Sequence, residues 1–312
     1  MTERHPPAEA PARALGAGFD APLLALGVVA VSFSAILIRE AHAPSLTVAL
    51  YRNAIATALL LPVALARHRA ELRALDRRQV GLAAASGAML ALHFGTWIPS
   101  LSYTTVAASV VLVTTQPVWT ALGGRFLYGE RLRPRALAGI AVAVAGAAVI
   151  SGGDVAVSAR AAFGDLLALI GAVTAAAYFL IGRNLRRDLS LVPYVTIVYA
   201  TCSLLLLPAA LLSGAAISGF SAKTWVMFLL MALVPQILGH TVFNYLLRYL
   251  DPTVVAIAIM GEPVGATLLA LAFYGEVPPW TAVAGGVVVL AGIYVAISAQ
   301  GRRRTVPEAP VD

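Results

Sequence analysis

Two segments of this chain repeat each other at one fixed spacing. Gln116-Pro117 is followed by Tyr128-Gly129-Glu130, and Glu262-Pro263 by Tyr274-Gly275-Glu276, with every matching residue 146 positions from its counterpart. At the same offset Leu59-Leu60-Leu61-Pro62 meets Leu205-Leu206-Leu207-Pro208. Tyr103 likewise meets Tyr249, Gly139 meets Gly285 and Gly146 meets Gly292. Leucine matches are cheap in apolar sequence; agreement of proline, tyrosine, glycine and glutamate at one offset is not. An internal repeat decides architecture ahead of any residue-level argument. Here it divides the chain into two homologous halves.

Of the 312 residues, 60% are hydrophobic and 12% are charged, against about 25% charged in a soluble domain. That deficit points to lipid as the solvent. Ten apolar stretches are long enough to cross about 30 Å of hydrocarbon as helices: 21–38, 46–66, 80–101, 105–126, 136–151, 163–183, 192–212, 224–247, 253–274 and 280–299. They are much longer than the roughly ten-residue alternating segments of a membrane barrel. The expected fold is therefore an all-α integral membrane protein of ten transmembrane helices in two repeats, 21–151 and 163–299. A disordered tail (1–20) and a basic tail (300–312) flank them. Five spans per half is odd, so the second repeat enters the membrane with inverted sense. Secondary transporters are built on inverted repeats, with the site near the midplane between the halves.

The net charge of +7 reports topology rather than a nucleic-acid partner. With a cytoplasmic N-terminus, eighteen Arg fall in inner segments and three basic residues, Arg39, Arg160 and Lys223, in outer loops, with Arg52 inside a span. This follows the positive-inside rule and predicts a multi-pass protein of the cell (inner) membrane with both termini cytoplasmic. Residues 1–20 carry Glu3, Glu9, Asp20 and three prolines, a poor match to a signal peptide. The single cysteine, Cys202, excludes an intrachain disulfide.

On these features the chain resembles the drug/metabolite transporter superfamily and, within it, the EamA family of ten-span exporters. The resemblance covers about residues 21–299. It rests on the ten spans, on Pro117…Gly129-Glu130 and Glu262-Pro263…Gly275-Glu276, on Gly164-Asp165 opening the second half, and on Arg52 in the second span. It implies alternating access by rocking of the halves and efflux of amino acids or other small metabolites. Gln116 in place of a second glutamate makes the halves chemically unequal.

Polar groups within lipid are costly and face a bundle interior or a watery cavity. Glu262 is the one acid deep in a span, read either as a proton, cation or substrate site or as a structural carboxyl at the Pro263 turn. Gln236, His240 and Asn244 recur every fourth residue and so share a helix face, where the first half has Leu90, Phe94 and Ile98. They line a cavity or bridge helices. His93 and Trp97 share a face of the third span, with an interhelical bond as the plainer role for His93 and the outer aromatic belt for Trp97. Gln116 and Trp119 flank Pro117, and Tyr178 is the central polar aromatic of the sixth span. Arg52 snorkels outward, binds an anionic group or pairs with Glu262; Arg52 for a carboxylate and Glu262 for an amine would suit a zwitterion. Pro62, Pro117, Pro208 and Pro263 mark kinks or hinges. Glu130 and Glu276 read as turn residues, each after a helix-capping glycine.

Spans one to four and six to nine are expected to enclose the cavity, with spans five and ten peripheral. The sequence holds no His-Glu-x-x-His, Walker loop, Gly-x-Ser-x-Gly elbow or Cys/His ligand cluster. No metal, cofactor or direct use of ATP is expected. The partners are a small-molecule solute, the bilayer and, as a coupling ion, protons. The expected activity is secondary transport of a small organic metabolite, an amino acid or related amphipathic solute, by efflux. A multidrug or nucleotide-sugar carrier, or a membrane-embedded enzyme, are the alternatives.

Overall fold

A computed structural model describes residues 17–129, 133–250, 255, 258–259 and 261–298. Both tail expectations beyond these bounds, and Glu130, lie outside the described residues. The described secondary structure is helical throughout: α1 (Ala17–Ser32), α2 (Ser34–Glu40), α3 (Ser45–Arg67), α4 (Arg69–Ala74), α5 (Arg77–Ser100), α6 (Val106–Val113), α7 (Gln116–Tyr128), α8 (Pro134–Val157), α9 (Ala159–Asp188), α10 (Leu191–Leu212) and α11 (Ala222–Met231). A π-helical segment (Ala232–Thr241), α12 (Val242–Leu246), α13 (Glu262–Tyr274) and α14 (Trp280–Ser298) follow.

Local chemistry sets the boundaries. Asp76 and Gln79 form a reciprocal capping box that starts α5, with Asp76 Oδ1 accepting from Gln79 N at 2.7 Å and Asp76 N donating to Gln79 Oε1 at 3.1 Å. Thr105, Ser158 and Ser221 cap α6, α9 and α11 with side-chain oxygens. Gly129 and Gly275 end α7 and α13 with φ of 66° and 64°, the left-handed conformation open to glycine.

Seven helical stretches are long and apolar enough to cross a membrane, which makes the chain a multi-pass membrane protein. They are Pro22–Glu40, Ser45–Arg67, Arg77–Ser100, Val106–Leu127, Ala159–Asp188, Leu191–Leu212 and Ala222–Leu246. Shorter apolar stretches, Leu137–Ala147, Glu262–Tyr274 and Trp280–Gly292, fall where the fifth, ninth and tenth spans are expected.

The 146-residue offset reappears in space. Adding it to the bounds of α7 gives those of α13. The counterparts α3 and α10 pack together, as do α8 and α14. The second contact is reciprocal. A Cβ on Gly146 would stand 2.6 Å from Val289 N and 2.8 Å from Gly285 O, while one on Gly292 would meet Ala143 N and Gly139 O. Each of these partners lies 146 residues from its counterpart. Residue numbers rise along α8 as they fall along α14, so the two helices run antiparallel. With no solvent-driven hydrophobic effect between helices in lipid, small residues that admit backbone contact hold such a pair together. Gly146→Val should separate the helices and lower thermal stability by about 1–3 kcal/mol, the usual overpacking penalty, as read in a detergent melt.

Pro62 and Pro208 lie on exposed faces inside α3 and α10, and each helix continues through its proline. Arg186, counted among the inner-loop charges, is 1% exposed. Its guanidinium donates to the carbonyls of Asn244 (3.1 Å) and Leu189, satisfying the end of α9 from within.

Candidate functional site

Helix continuity fails at one place in each of several spans, and the failures surround one cavity. The first span breaks at Phe33 between α1 and α2, and the fourth at Thr114–Thr115 between α6 and α7. In the eighth, Pro235 lacks the N–H that an α-helix would aim at the carbonyl of Met231, and the chain passes through the π segment instead. Pro117 and Pro263 occupy the first turns of α7 and α13, where their missing N–H groups cost nothing. They leave Gln116 and Glu262 as the first residues of α7 and α13, at the positive ends of those helices. Anionic groups are favoured there.

The cavity between them has a volume of about 40 Å³, room for a few waters and too small for an organic solute. Its polar lining is Ser34, His93, Thr114, Gln116, His240 and Glu262, with Trp97, Phe179 and Phe243 among the aromatic walls. Glu262 and Gln116 line this cavity and are each 9% exposed, so their side chains are largely withdrawn from bulk water.

Arg52 does not snorkel. It is 0% exposed, because inward partners hold it: Nε donates to Gln236 Oε1 at 2.8 Å and Nη1 to Ser34 Oγ at 3.1 Å. The guanidinium also lies 4.1 Å from the centroid of the Phe94 ring, a cation–π contact. It acts electrostatically on Glu262 without a direct ion pair between the two. Arg52 Nη2, behind Ser34, and Trp97 Nε1, at the cavity wall, are buried donors that lack acceptors. Trp97 is 3% exposed and stacks on His93 at 5.7 Å, which removes the aromatic-belt reading. His93 Nδ1 bonds the Gly171 carbonyl at 2.9 Å. That oxygen can only accept, so Nδ1 carries the proton, and His93 both bridges α5 to α9 and lines the cavity.

Of the polar stripe Gln236–His240–Asn244, only His240 lines the cavity. Gln236 turns to Arg52 on α3. Asn244 turns to α9, donating through Nδ2 to Tyr178 Oη and to the His240 carbonyl. Tyr178 is likewise absent from the cavity lining. Its Oη accepts from Asn244 and its carbonyl from Ser86 Oγ, which also bonds Tyr194 Oη at 2.8 Å, so these side chains tie α5, α9, α10 and α12 together. Trp119 is elsewhere: its Nε1 donates to Thr115 Oγ1 at 3.2 Å, and it lines a separate apolar pocket of about 330 Å³ with Val144 and Leu169. Tertiary packing, not helix periodicity, separates these residues. Ser34, Thr114 and Phe179 carried no sequence signal, since hydroxyls and phenylalanine are common in spans.

Restoring the missing amide should test the π segment. Pro235→Ala should raise thermal stability by up to about 3 kcal/mol, the interior-proline penalty. It should also lower transport, because α-helical winding rotates His240 out of the cavity.

A bundle of discontinuous membrane helices around a small polar cavity defines a membrane carrier. The chain belongs to the EamA-like transporter family, which matches residues 20–152 and 162–298, and is a transporter rather than an enzyme. It is 28% identical over 204 residues to an uncharacterized transporter of Archaeoglobus fulgidus, covering 64% of this chain and 70% of that one. It is 31% identical over 199 residues to a "probable terminal-alkyne amino-acid exporter" of Streptantibioticus cattleyicolor (62% and 65% covered). It is also 28% identical over 207 residues to a "probable amino-acid metabolite efflux pump" of Salmonella typhimurium (64% and 69%). One crystal structure aligns with a TM-score of 0.65 over 89% of this chain and 96% of its own at 20% identity, a likeness of fold alone.

Proposed function

We propose that this protein is a secondary transporter that exports an amino acid or closely related zwitterionic metabolite across the cell membrane by alternating access. Its ten spans form two five-helix repeats of opposite sense, 21–151 and 163–299, with both termini cytoplasmic. The antiparallel, reciprocal contact of α8 with α14 supports the inversion, and the excess of arginine on one side supports the orientation.

One arrangement supports the substrate class: the Glu262 carboxylate lines the cavity together with Trp97 and Ser34, and the buried Arg52 guanidinium lies directly behind Ser34. Arg52 Nη2 and Trp97 Nε1 lack acceptors, and a substrate carboxylate drawn to this side of the cavity would satisfy them. Glu262 would take the ammonium group. His93, Gln116 and His240 would complete the walls. Unpaired buried polar groups discriminate strongly against ligands that leave them unsatisfied. Tyr178 and Asn244 act as the inner seal, and Trp119 stands outside the solute path. At about 40 Å³ the cavity corresponds to the closed step of the cycle. Protons are the coupling ion, taken up at Glu262 when the solute leaves.

The test is flux into proteoliposomes with a matched panel of amino acids, amines and carboxylates. Neutral amino acids should show saturable uptake, with the simple amines and acids at least about tenfold weaker. Equal flux of amines and amino acids would overturn the zwitterion reading. An imposed pH gradient should drive accumulation, and its failure to do so would remove the proton.

A further inference from the structure

Glu276 looks on sequence like a turn residue, yet its side chain joins three separate spans. Oε2 pairs with Arg39 Nη1 of α2 at 2.5 Å, and Oε1 accepts from Val106 N at the start of α6 at 3.0 Å. Arg39 in turn reaches the Leu101 carbonyl just past α5 at 3.4 Å and lies 5.7 Å from the Tyr274 ring centroid. Tyr274 Oη donates to the Ile36 carbonyl at 3.2 Å. These bonds cluster at the end of the bundle opposite the Tyr178–Asn244 seal. A pocket of about 420 Å³ lined by Ile38, Arg39, His42, Ser45, Leu101 and Ser102 opens beside them.

Two short rods connect this cluster to the central cavity. α2 begins at Ser34, which lines the cavity, and carries Arg39 near its far end. α13 begins at Glu262 and is followed, one capping glycine on, by Glu276; its 13 residues span about 20 Å. Helical hydrogen bonding is interrupted at Phe33 ahead of α2, and Gly261 and Pro263 stand at the start of α13, so these are the points at which either rod can change its angle.

We propose that Arg39 and Glu276 form the outer gate of the transporter, released when a solute between Ser34 and Glu262 forces α2 and α13 apart. The central cavity then joins the outer pocket. The proposal rests on reading the central cavity as the solute site.

The test uses the full chain with Ala175→Cys as a reporter, since Ala175 lines the cavity. The native Cys202 is 0% exposed and leaves a low background. A membrane-impermeant maleimide is applied from the outer or the inner face in vesicles of known orientation. Arg39→Gln and Glu276→Gln should each speed labelling from outside by at least about tenfold, the factor expected for a lost charge-assisted hydrogen bond. The double variant should gain no more than either single one, because both remove the same bond, and Arg39→Lys should retain most of the slow labelling. Unchanged labelling, additive gains or equal acceleration from both faces would each overturn the gate. If the gate variants behave as expected while Glu262→Gln leaves flux intact, the gate stands and the solute site falls. If Glu262→Gln abolishes flux but labelling does not respond, the gate alone falls.

Discussion

Glu262→Gln should leave the protein folded and weaken zwitterion transport at least about thirtyfold in apparent affinity, the equivalent of about 2 kcal/mol of lost charge recognition. The carboxylate starts α13, faces the cavity and is 9% exposed. Among the described residues it makes no ion pair, so its removal breaks no structural bond. A neutral amide of the same shape in a desolvated site relieves an unfavourable buried charge, so the melting temperature should hold or rise. A structural carboxyl predicts the reverse pattern, lower stability with flux intact. Flux and thermal melts on one preparation separate the two roles. Flux that ignores the substitution would remove Glu262 from the solute path.

The second large effect is expected at Arg52. Its guanidinium makes charged hydrogen bonds to Gln236 and Ser34 and sits over Phe94. Arg52→Ala therefore removes all three contacts and the cation acting on Glu262. A loss of about 3 kcal/mol or more is expected, as for other buried charges whose partner is deleted. Arg52→Lys keeps the charge but loses the planar fork and the ring contact, so it should recover only part of that stability. Because the cost includes stranding Glu262, Arg52→Ala/Glu262→Gln should melt above Arg52→Ala alone. A double variant no more stable than the single would show that the two charges are not coupled and would weaken the proposed zwitterion site. Both singles should lose transport.

The repeat, the apolar spans and the helix-capping glycines were legible because they depend on local composition and on backbone conformations that few residue types adopt. Gly129 and Gly275 end their helices in the left-handed region as their sequence positions imply. Pro117 and Pro263 were legible as special positions, but whether each kinks a helix or starts one depends on whether the preceding turn continues. That turn is set by packing. The polar stripe divides its roles for a related reason. A four-residue period places Gln236, His240 and Asn244 on one face of an ideal helix, but the π segment and three different neighbours send them to α3, the cavity and α9.

Sequence alone determined that this chain lives in lipid, that it is built twice, and that Glu262 is an acid deep in a span, since hydropathy, internal spacing and residue type require no partner to be read. Only the tertiary structure decided that Arg52 is buried against Gln236 and Ser34, that Trp119 belongs to another pocket, and that Arg39 and Glu276, 237 residues apart, are bonded to each other. Those facts depend on which helix faces which, and in a membrane that choice is made by backbone contact at small residues and by hydrogen bonds between distant spans, neither of which leaves a local mark in the chain.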